Sequence, residues 1–454
     1  MLTATLIVTK MAAKLSRWLG RGGGQALPGL VAERLDPNLA SKLAARLPHG
    51  VVLVTGTNGK TTTTKLIAAA LEAAGERVLT NSTGSNLKRG VTSALIAEAD
   101  LNGRLDATVG LFEVDEASLR QVAPAVQPKA IVVLNLFRDQ LDRYGELDTL
   151  ASVIGQGIAA TKAELFLNAD DPLVASLAKY AADANQVTYF GVEQLAEGAG
   201  VAQTAMDSDR CPVCRERLMF SRVFYGHIGH YRCPKGHFER PKPAVTISKV
   251  ISTDLDGSQF EVTAGGKHMQ LHFPLAGTYN LYNALAAMVV AQGLGVGDEQ
   301  IVEVLGRAEA AFGRVERVSL EGRTVYLLLI KNPAGFTQVL ETFLMRRGLK
   351  VMLAINDLDA DGRDVSWLWD VPLEVLAEFG PKIVTAGIRG ADMALRLHYA
   401  GIESEPSGDF EGAINKLLGM TAKGETVYIL PTYTAMLQIR KLLEKRTQMV
   451  EVWK

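Results

Sequence analysis

The sequence predicts an α/β protein: a central phosphate-loop nucleotide-binding unit, a small zinc-ribbon insertion and a second, Rossmann-like α/β unit. Three observations carry this. Val51–Thr55 is a β-branched run that enters a glycine-broken turn, and a helical stretch leaves from Lys60. Apolar strand-like segments alternate with helical ones on either side of a stretch with period-2 alternation. All three cysteines fall between Cys211 and Cys233.

The loop Gly56-Thr57-Asn58-Gly59-Lys60-Thr61-Thr62 has the composition of a phosphate cradle. A helix N-terminus offers unpaired N–H groups and partial positive charge, and glycines let the backbone approach an anion. Lys60 is placed to reach the β- and γ-phosphates of ATP, and the Thr61 hydroxyl to ligate Mg²⁺. The usual pattern places a glycine where this chain has Val54.

With 454 residues the chain is too long for one core, and two or three domains are expected. The formal net charge of −1 shows no chain-wide attraction to nucleic acid, so no nucleic-acid partner is expected. No apolar run reaches the roughly 18 residues of a transmembrane helix. Near the start, Lys and Arg follow the short apolar piece Leu2–Val8 instead of preceding it, which favours a helix over a signal peptide. That helix carries Met11, Leu15, Trp18 and Leu19 on one face, a surface for a membrane or a partner. A cytoplasmic setting, with at most peripheral membrane contact, fits best.

Expected elements follow in order. A helix covers Leu30–Leu47. Strands are expected at Val51–Thr55, 76–80, Ala107–Glu113, Ala130–Phe137, Glu164–Leu167 and Val187–Val192. Most end in polar residues, which in a parallel sheet converge on one crevice. Glu113, at such an end, is a candidate Mg²⁺ ligand; Asp139 and Asp142 are weaker ones. Val245–Phe273 reads as an antiparallel meander, and Tyr279–Leu294 and Glu299–Ala311 as helices. Gly313–Arg317 reads as a linker. Further strands are expected at Thr324–Ile330, Lys350–Ile355, Lys382–Ala386 and Thr426–Leu430. The boundaries are then a helical segment over 1–49, an ATP-binding domain over 50–312 with the ribbon at about 207–243, and a C-terminal domain over 318–454.

Cys211-x₂-Cys214 and, eighteen residues on, Cys233-x₃-His237 have ribbon spacing. Gly236 stands where a second C-x-x-C would place its cysteine. His237 is the natural fourth Zn²⁺ ligand, with His227 and His230 as alternatives. Asn280 and Asn283 share a face at the start of a helix and suit a base edge, a phosphate or simple capping. Asp357–Asp370 holds five acids and two tryptophans. It reads as a loop that offers a carboxylate to a partner or substrate.

The phosphate loop, Glu113, Asp139-Gln140-Leu141-Asp142, Asn168-Ala169-Asp170-Asp171, Asn280-x₂-Asn283 and Gly313-Arg314-Val315-Glu316 together resemble the Mur ligases and folylpolyglutamate synthases. More narrowly the chain is similar to MurT-type subunits of lipid II isoglutaminyl synthase. Asn135–Glu146, Lys331-Asn332-Pro333-Ala334-Gly335 and Asp361–Trp367 carry that likeness, with the ribbon and with about 50 residues in place of the usual N-terminal substrate domain. The resemblance implies that ATP activates the α-carboxylate of D-glutamate in lipid II as an acyl phosphate. Ammonia from a GatD-type glutaminase subunit then gives D-isoglutamine. It implies Asn280 and Asn283 near the adenine, Asn332 facing the ribose, and Arg314 reaching the phosphates. It implies Asp364 as the carboxylate that completes the partner's catalytic triad, with Asp361 and Asp370 as runners-up. Gln140 departs from the histidine of many Mur ligases, and no carbamylated lysine is assigned. A stand-alone Mur or folylpolyglutamate-type amino-acid ligase is the alternative, and a nucleic-acid-binding ATP module a third.

Overall fold

The computed structural model describes residues 2–18, 27–81, 85–139, 146–195, 206–309 and 315–447. Two large sheets organise it. The first comprises β1 (Val51–Thr55), β2 (Val78–Thr80), β3 (Val109–Glu113), β4 (Ala130–Val133), β5 (Glu164–Asn168), β6 (Val187–Val192), β9 (Val245–Asp254), β10 (Gly257–Ala264) and β11 (Lys267–Phe273). Its order is β11-β10-β9-β6-β5-β4-β1-β3-β2. The strands from β2 to β9 pair in parallel, and β9, β10 and β11 form the antiparallel meander.

Between β6 and β9 a small hairpin, β7 (Met219–Tyr225) and β8 (Ile228–Arg232), stands apart as its own two-stranded sheet. The second large sheet has β12 (Val315–Leu320), β13 (Arg323–Leu328), β14 (Lys350–Ala354), β15 (Lys382–Ala386), β16 (Ser404–Pro406) and β17 (Thr426–Pro431), in the order β12-β13-β17-β14-β15-β16.

All five residues of β1 are buried, as a parallel strand covered on both faces requires. Its alternation feeds two cores. Val52 and Val54 pack with Ile67 and Ala70 of helix Lys60–Ala73 and with Leu281 of helix Thr278–Gly293. Val51 and Leu53 pack on the other side with Leu39, Leu43, Leu95 and Ile154. The second sheet divides likewise: Val351 and Leu353 face Phe336 and Phe343, while Met352 and Ala354 face Ile414 and Met436.

Four expectations need correction. The helix expected over 30–47 is two, Leu27–Leu35 and Leu39–Ala44, broken around Asp36-Pro37. The strand expected to Phe137 stops at Val133, because residues 135–137 turn to hold the phosphate loop. Helix Asp298–Gly306 ends five residues before Ala311, the expected end. Val315–Arg317 is not linker but the start of β12, paired with Tyr326–Leu328 of β13. Glu316 there is fastened to Arg440 of helix Tyr433–Glu444 at 2.6 Å. Gly313, Arg314 and Gln140–Asp142 lie outside the described residues.

Candidate active site

The carboxyl ends of β1, β3, β4 and β5 meet at one crevice, across which the start of helix Pro333–Val339 stands. The phosphate loop leaves β1 with two left-handed glycines, Gly56 at φ +133° and Gly59 at φ +89°. A Cβ at Gly59 would sit 2.1 Å from Asn283 Oδ1, so only glycine lets the loop rest on that amide. The loop is held from below. Asn58 N–H donates to Asn135 Oδ1 at 2.9 Å, and Asn135 Nδ2 returns to Asn58 O at 3.1 Å. Thr57 Oγ1 accepts from Phe137 N–H at 2.9 Å.

Lys60 is buried and its Nζ donates to Gly56 O at 2.6 Å. Glu116 Oε2 lies 3.3 Å from the same ammonium. Burial alone would lower the Lys60 pKa; Glu116, Glu113, Asp115 and Asp139 outweigh it and hold the ammonium above its ordinary value. Burial likewise pushes the Glu116 carboxyl up, with Lys60 pulling the other way. Thr61 Oγ1 donates to Glu113 Oε2 at 2.8 Å, so the two expected Mg²⁺ ligands are in contact. Asn81 braces that strand end: its Oδ1 accepts Glu113 N–H and its Nδ2 donates to Glu113 O, both at 2.9 Å.

Beside the loop lies a cavity between the two large sheets. Asn58, Gly59, Thr62, Asn280 and Asn283 line one side, and Ala334, Gly335 and Phe343 the other. Asn283 Nδ2 donates to Asn280 Oδ1 at 3.0 Å, and Asn280 Nδ2 to Ala276 O at 2.8 Å. Tyr225 of the ribbon hairpin also reaches this cavity, stacked on Phe137 with centroids 5.7 Å apart.

Among the described residues, hydrogen bonds cross the crevice. Lys331 Nζ donates to Asp139 Oδ2 at 2.6 Å, and Asn332 Nδ2 to Asn58 Oδ1 at 3.1 Å. Asn332 also caps helix Pro333–Val339, accepting from Gly335 N–H at 2.8 Å. Asp139 Oδ1 is buried with no partner. At the edge of the crevice Arg138, Asp139 and Lys331 share a smaller cleft with Asp364, Trp367 and Asp370.

Asp364 is exposed, its Oδ1 accepting Ser366 N–H at 2.8 Å. Asp361 is different: it is buried and accepts from Thr434 N–H at 2.7 Å and Leu358 N–H at 3.2 Å. Its oxygens are used in folding that loop, which removes it as a runner-up; Asp370 remains exposed.

The ribbon brings the Sγ atoms of Cys211, Cys214 and Cys233 within 4.8 Å of one another. Cys214 and Cys233 are 3.6 Å apart, close to the roughly 3.8 Å that two thiolates 2.3 Å from one tetrahedral zinc would show. His237, expected as the fourth ligand, is exposed and lies outside this group. In the two knuckles of the ribbon Cys211 N–H donates to Glu216 O, and Cys233 N–H to Phe238 O, the same five-residue step. Within that step the knuckles turn differently: the left-handed residue is Arg215 in the first, four after its cysteine, and Gly236 in the second, three after. His227 is also elsewhere: it is buried, 3.3 Å from Asp171. His230 hydrogen-bonds Val192 O.

The Asn168–Asp171 motif is structural. Asp170 takes Arg240 at 2.5 Å, Tyr282 Oη at 2.6 Å and Val192 N–H at 2.7 Å. Asp171 caps helix Pro172–Ser176 and accepts Leu136 N–H at 2.8 Å. Together they tie the ribbon and helix Thr278–Gly293 to the first sheet. Four site residues had no assigned role from sequence: Glu116, Asn135, Lys331 and Tyr225. Glu116 had a signal in the acid run after β3, and Lys331 in its adjacency to Asn332. Tyr225 had none, because its place depends on how the hairpin folds back.

Comparison with known proteins agrees with this architecture. The chain matches the Mur ligase middle domain family over residues 54–229 and the MurT ligase C-terminal family over 329–436. It is 33% identical over 432 residues to the MurT subunit of lipid II isoglutaminyl synthase (glutamine-hydrolysing) from Streptococcus pneumoniae, covering 94% of this chain and 93% of that one. The subunit of the same name from Staphylococcus aureus is 34% identical over 448 residues, covering 96% and 97%. Among solved structures, a pseudomurein peptide ligase type C from Methanothermus fervidus superposes with a TM-score of 0.69 at 22% identity, over 89% of this chain and 80% of that one. MurF ligase from Thermotoga maritima in complex with ADP gives 0.62 at 16% identity, over 90% and 82%. The chain belongs to the MurT family of Mur ligases.

Proposed function

We propose that this chain is the ATP-dependent ligase subunit of a lipid II isoglutaminyl synthase. The carrying observation is the crevice itself: Lys60, Thr61 and Glu113 on one wall face Lys331 and Asn332 on the other, and exposed Asp364 stands at its edge.

ATP lies with its base in the cavity beside Asn280 and Asn283 and its phosphates along Gly56–Thr62. The loop N–H groups and Lys60 stabilise the charge that develops on the transferring phosphoryl group. Glu116 keeps that lysine charged and aimed along the loop. Thr61 and Glu113 would hold Mg²⁺, which neutralises phosphate charge when bound. A D-glutamyl α-carboxylate oxygen attacks the γ-phosphorus, the bond to the β–γ bridging oxygen breaks, and ADP leaves. Ammonia then attacks the carbonyl carbon of the acyl phosphate; phosphate departs, a proton is lost, and the amide remains. Lys331 and Asn332 bring the second wall against the loop and keep water from the intermediate. Arg314 is assigned by family likeness to the phosphates.

Ammonia is supplied by a glutaminase subunit of GatD type. Asp364 is free of the internal ties that bind Asp361, and it orients the partner's histidine as the third member of a triad. The three thiols of the ribbon would hold Zn²⁺ as a structural ion that fixes the knuckles and, through the hairpin, Tyr225.

The test is reconstitution of the chain with its glutaminase, ATP, glutamine and lipid II. Stoichiometric ADP and an amidated D-glutamyl stem are expected. ATP turnover that never yields the amide would sink the reading.

A further inference from the structure

We propose that helix Leu2–Trp18 is a membrane-surface anchor, which lies in the headgroup layer of an anionic bilayer with its outer face down. The inner face is accounted for. Thr5, Leu6 and Thr9 are buried, Thr9 Oγ1 bonds Thr5 O and Leu6 O, and Lys10 Nζ donates to Ala97 O at 3.2 Å. The helix thereby packs on Leu27–Leu35 and Lys88–Glu98.

The outer face is not what a globular surface needs. Ile7 is 40% exposed, Val8 47% and Met11 64%, and Ala4 beside them is exposed. Positions 4, 7, 8 and 11 form one stripe of a helix. Lys10 and Lys14 lie along one flank, and the sequence of the helix contains Lys10, Lys14 and Arg17 with no acid at all. The whole chain has a formal charge of −1, so this is a local concentration of one sign. An aliphatic stripe flanked by cations is what an interfacial helix presents to anionic lipid. A second copy of the chain would bring the same lysines face to face, and protein interfaces are depleted of lysine. Among the described residues no helix is long and apolar enough to cross a membrane, so the contact is peripheral.

The helix is also well placed. It packs on Lys88–Glu98, and the loop entering that helix carries Asn86, whose carbonyl accepts Asp115 N–H at 2.9 Å. Asn81, at the other end of the same loop, braces Glu113. A bilayer under the outer face would therefore lie on the β2 flank of the first sheet. This deepens the lipid II reading and rests on it for its purpose, though not for its geometry.

The test uses the full chain with its glutaminase and sedimentation with vesicles of phosphatidylcholine, with or without 30% phosphatidylglycerol. At low salt, partitioning onto the anionic vesicles should exceed that onto neutral ones by about tenfold or more, and 0.5 M salt should abolish the difference. Ile7→Ser/Val8→Ser/Met11→Ser and, separately, Lys14→Glu should each reduce anionic binding about tenfold. Melting temperature and turnover of a water-soluble lipid II analogue should be unchanged. No preference for anionic vesicles in the parent chain overturns the proposal. So does binding unaffected by both variants, or a dimer in solution that the triple-serine variant dissociates. Vesicle binding without any amidation leaves the anchor standing and sinks the reaction; amidation of the soluble analogue without vesicle binding does the reverse.

Discussion

On the wall built by the first sheet, the loop Gly56–Lys60 is fixed from below by Asn135, Phe137 and Asn283. On the wall built by the second, Lys331 and Asn332 stand at the exit of a strand and reach the first through the Lys331–Asp139 pair and the Asn332–Asn58 amide contact. The first wall is thus held by its own backbone and amide contacts. The second wall holds by contacts that a phosphate or a substrate carboxylate can take over. On the proposed function, binding and charge stabilisation belong mainly to the first wall, and commitment to the acyl phosphate to both.

The largest expected effect breaks the first wall. Lys60→Ala removes the charge that meets the phosphoryl group and should cut ATP-dependent amidation roughly a thousandfold, with glutamine or with ammonium salt as nitrogen source. Steady-state rates with both sources check this; a loss below tenfold would place the phosphates elsewhere. Asp364→Asn separates the two chemistries. Glutamine-dependent amidation should fall by about a hundredfold or more, while ammonium-driven amidation stays within about twofold. Equal losses with both sources would put Asp364 in the ligase step instead of the partner's triad.

Glu116→Gln tests how Lys60 is kept charged. Removing that carboxylate leaves burial opposed by Glu113, Asp115 and Asp139 only, so the ammonium pKa falls. The ammonium is then lost at lower pH, so the alkaline limb of the pH–rate profile should move down while kcat at neutral pH, where the lysine stays charged, changes little. An unmoved alkaline limb would assign Glu116 a packing role. On the other wall, Lys331→Ala should lower kcat about tenfold with little change in the KM for ATP, because the nucleotide is held mainly by the first. A rise in KM at constant kcat would reverse that division of labour.

The first wall was largely legible in the sequence because it is local. A strand, two glycines, Lys60 and Thr61 are consecutive, and Glu113 ends the neighbouring strand. The two-faced alternation of β1 likewise follows from period 2 in a run of five. The second wall was legible only as a position, Asn332, because its contacts to Asn58 and Asp139 join residues some 190 to 270 apart in the chain. Tyr225 and Asn135 were hidden for the same reason. The start of β12 was misread because Gly313 and Arg314 look like linker, whereas Glu316 is specified by a distant Arg440. His237 rested on spacing from Cys233 alone, and spacing does not show which side chain a knuckle turns toward the metal.

The second knuckle supplies the smallest and most local prediction, on the ribbon that buttresses the first wall. Gly236 is, like Cys214, the third residue after the first cysteine of its knuckle, and a Cβ built there meets nothing within 4 Å. Its φ of +71° is unfavourable for a side chain, so Gly236→Cys carries a backbone cost of roughly 1 kcal/mol. A fourth thiolate should exceed that cost once metal is bound. The variant should hold one zinc per chain against a chelator about tenfold longer than the parent chain and melt a few degrees higher with zinc, yet slightly lower without it. Cobalt substitution gives an independent reading, since a fourth sulfur should strengthen the thiolate-to-metal absorption. Amidation should change by less than about twofold, because the knuckle residues do not line the crevice. If zinc retention is unchanged while His237→Ala releases the metal, then the imidazole swings in on binding and supplies the fourth donor.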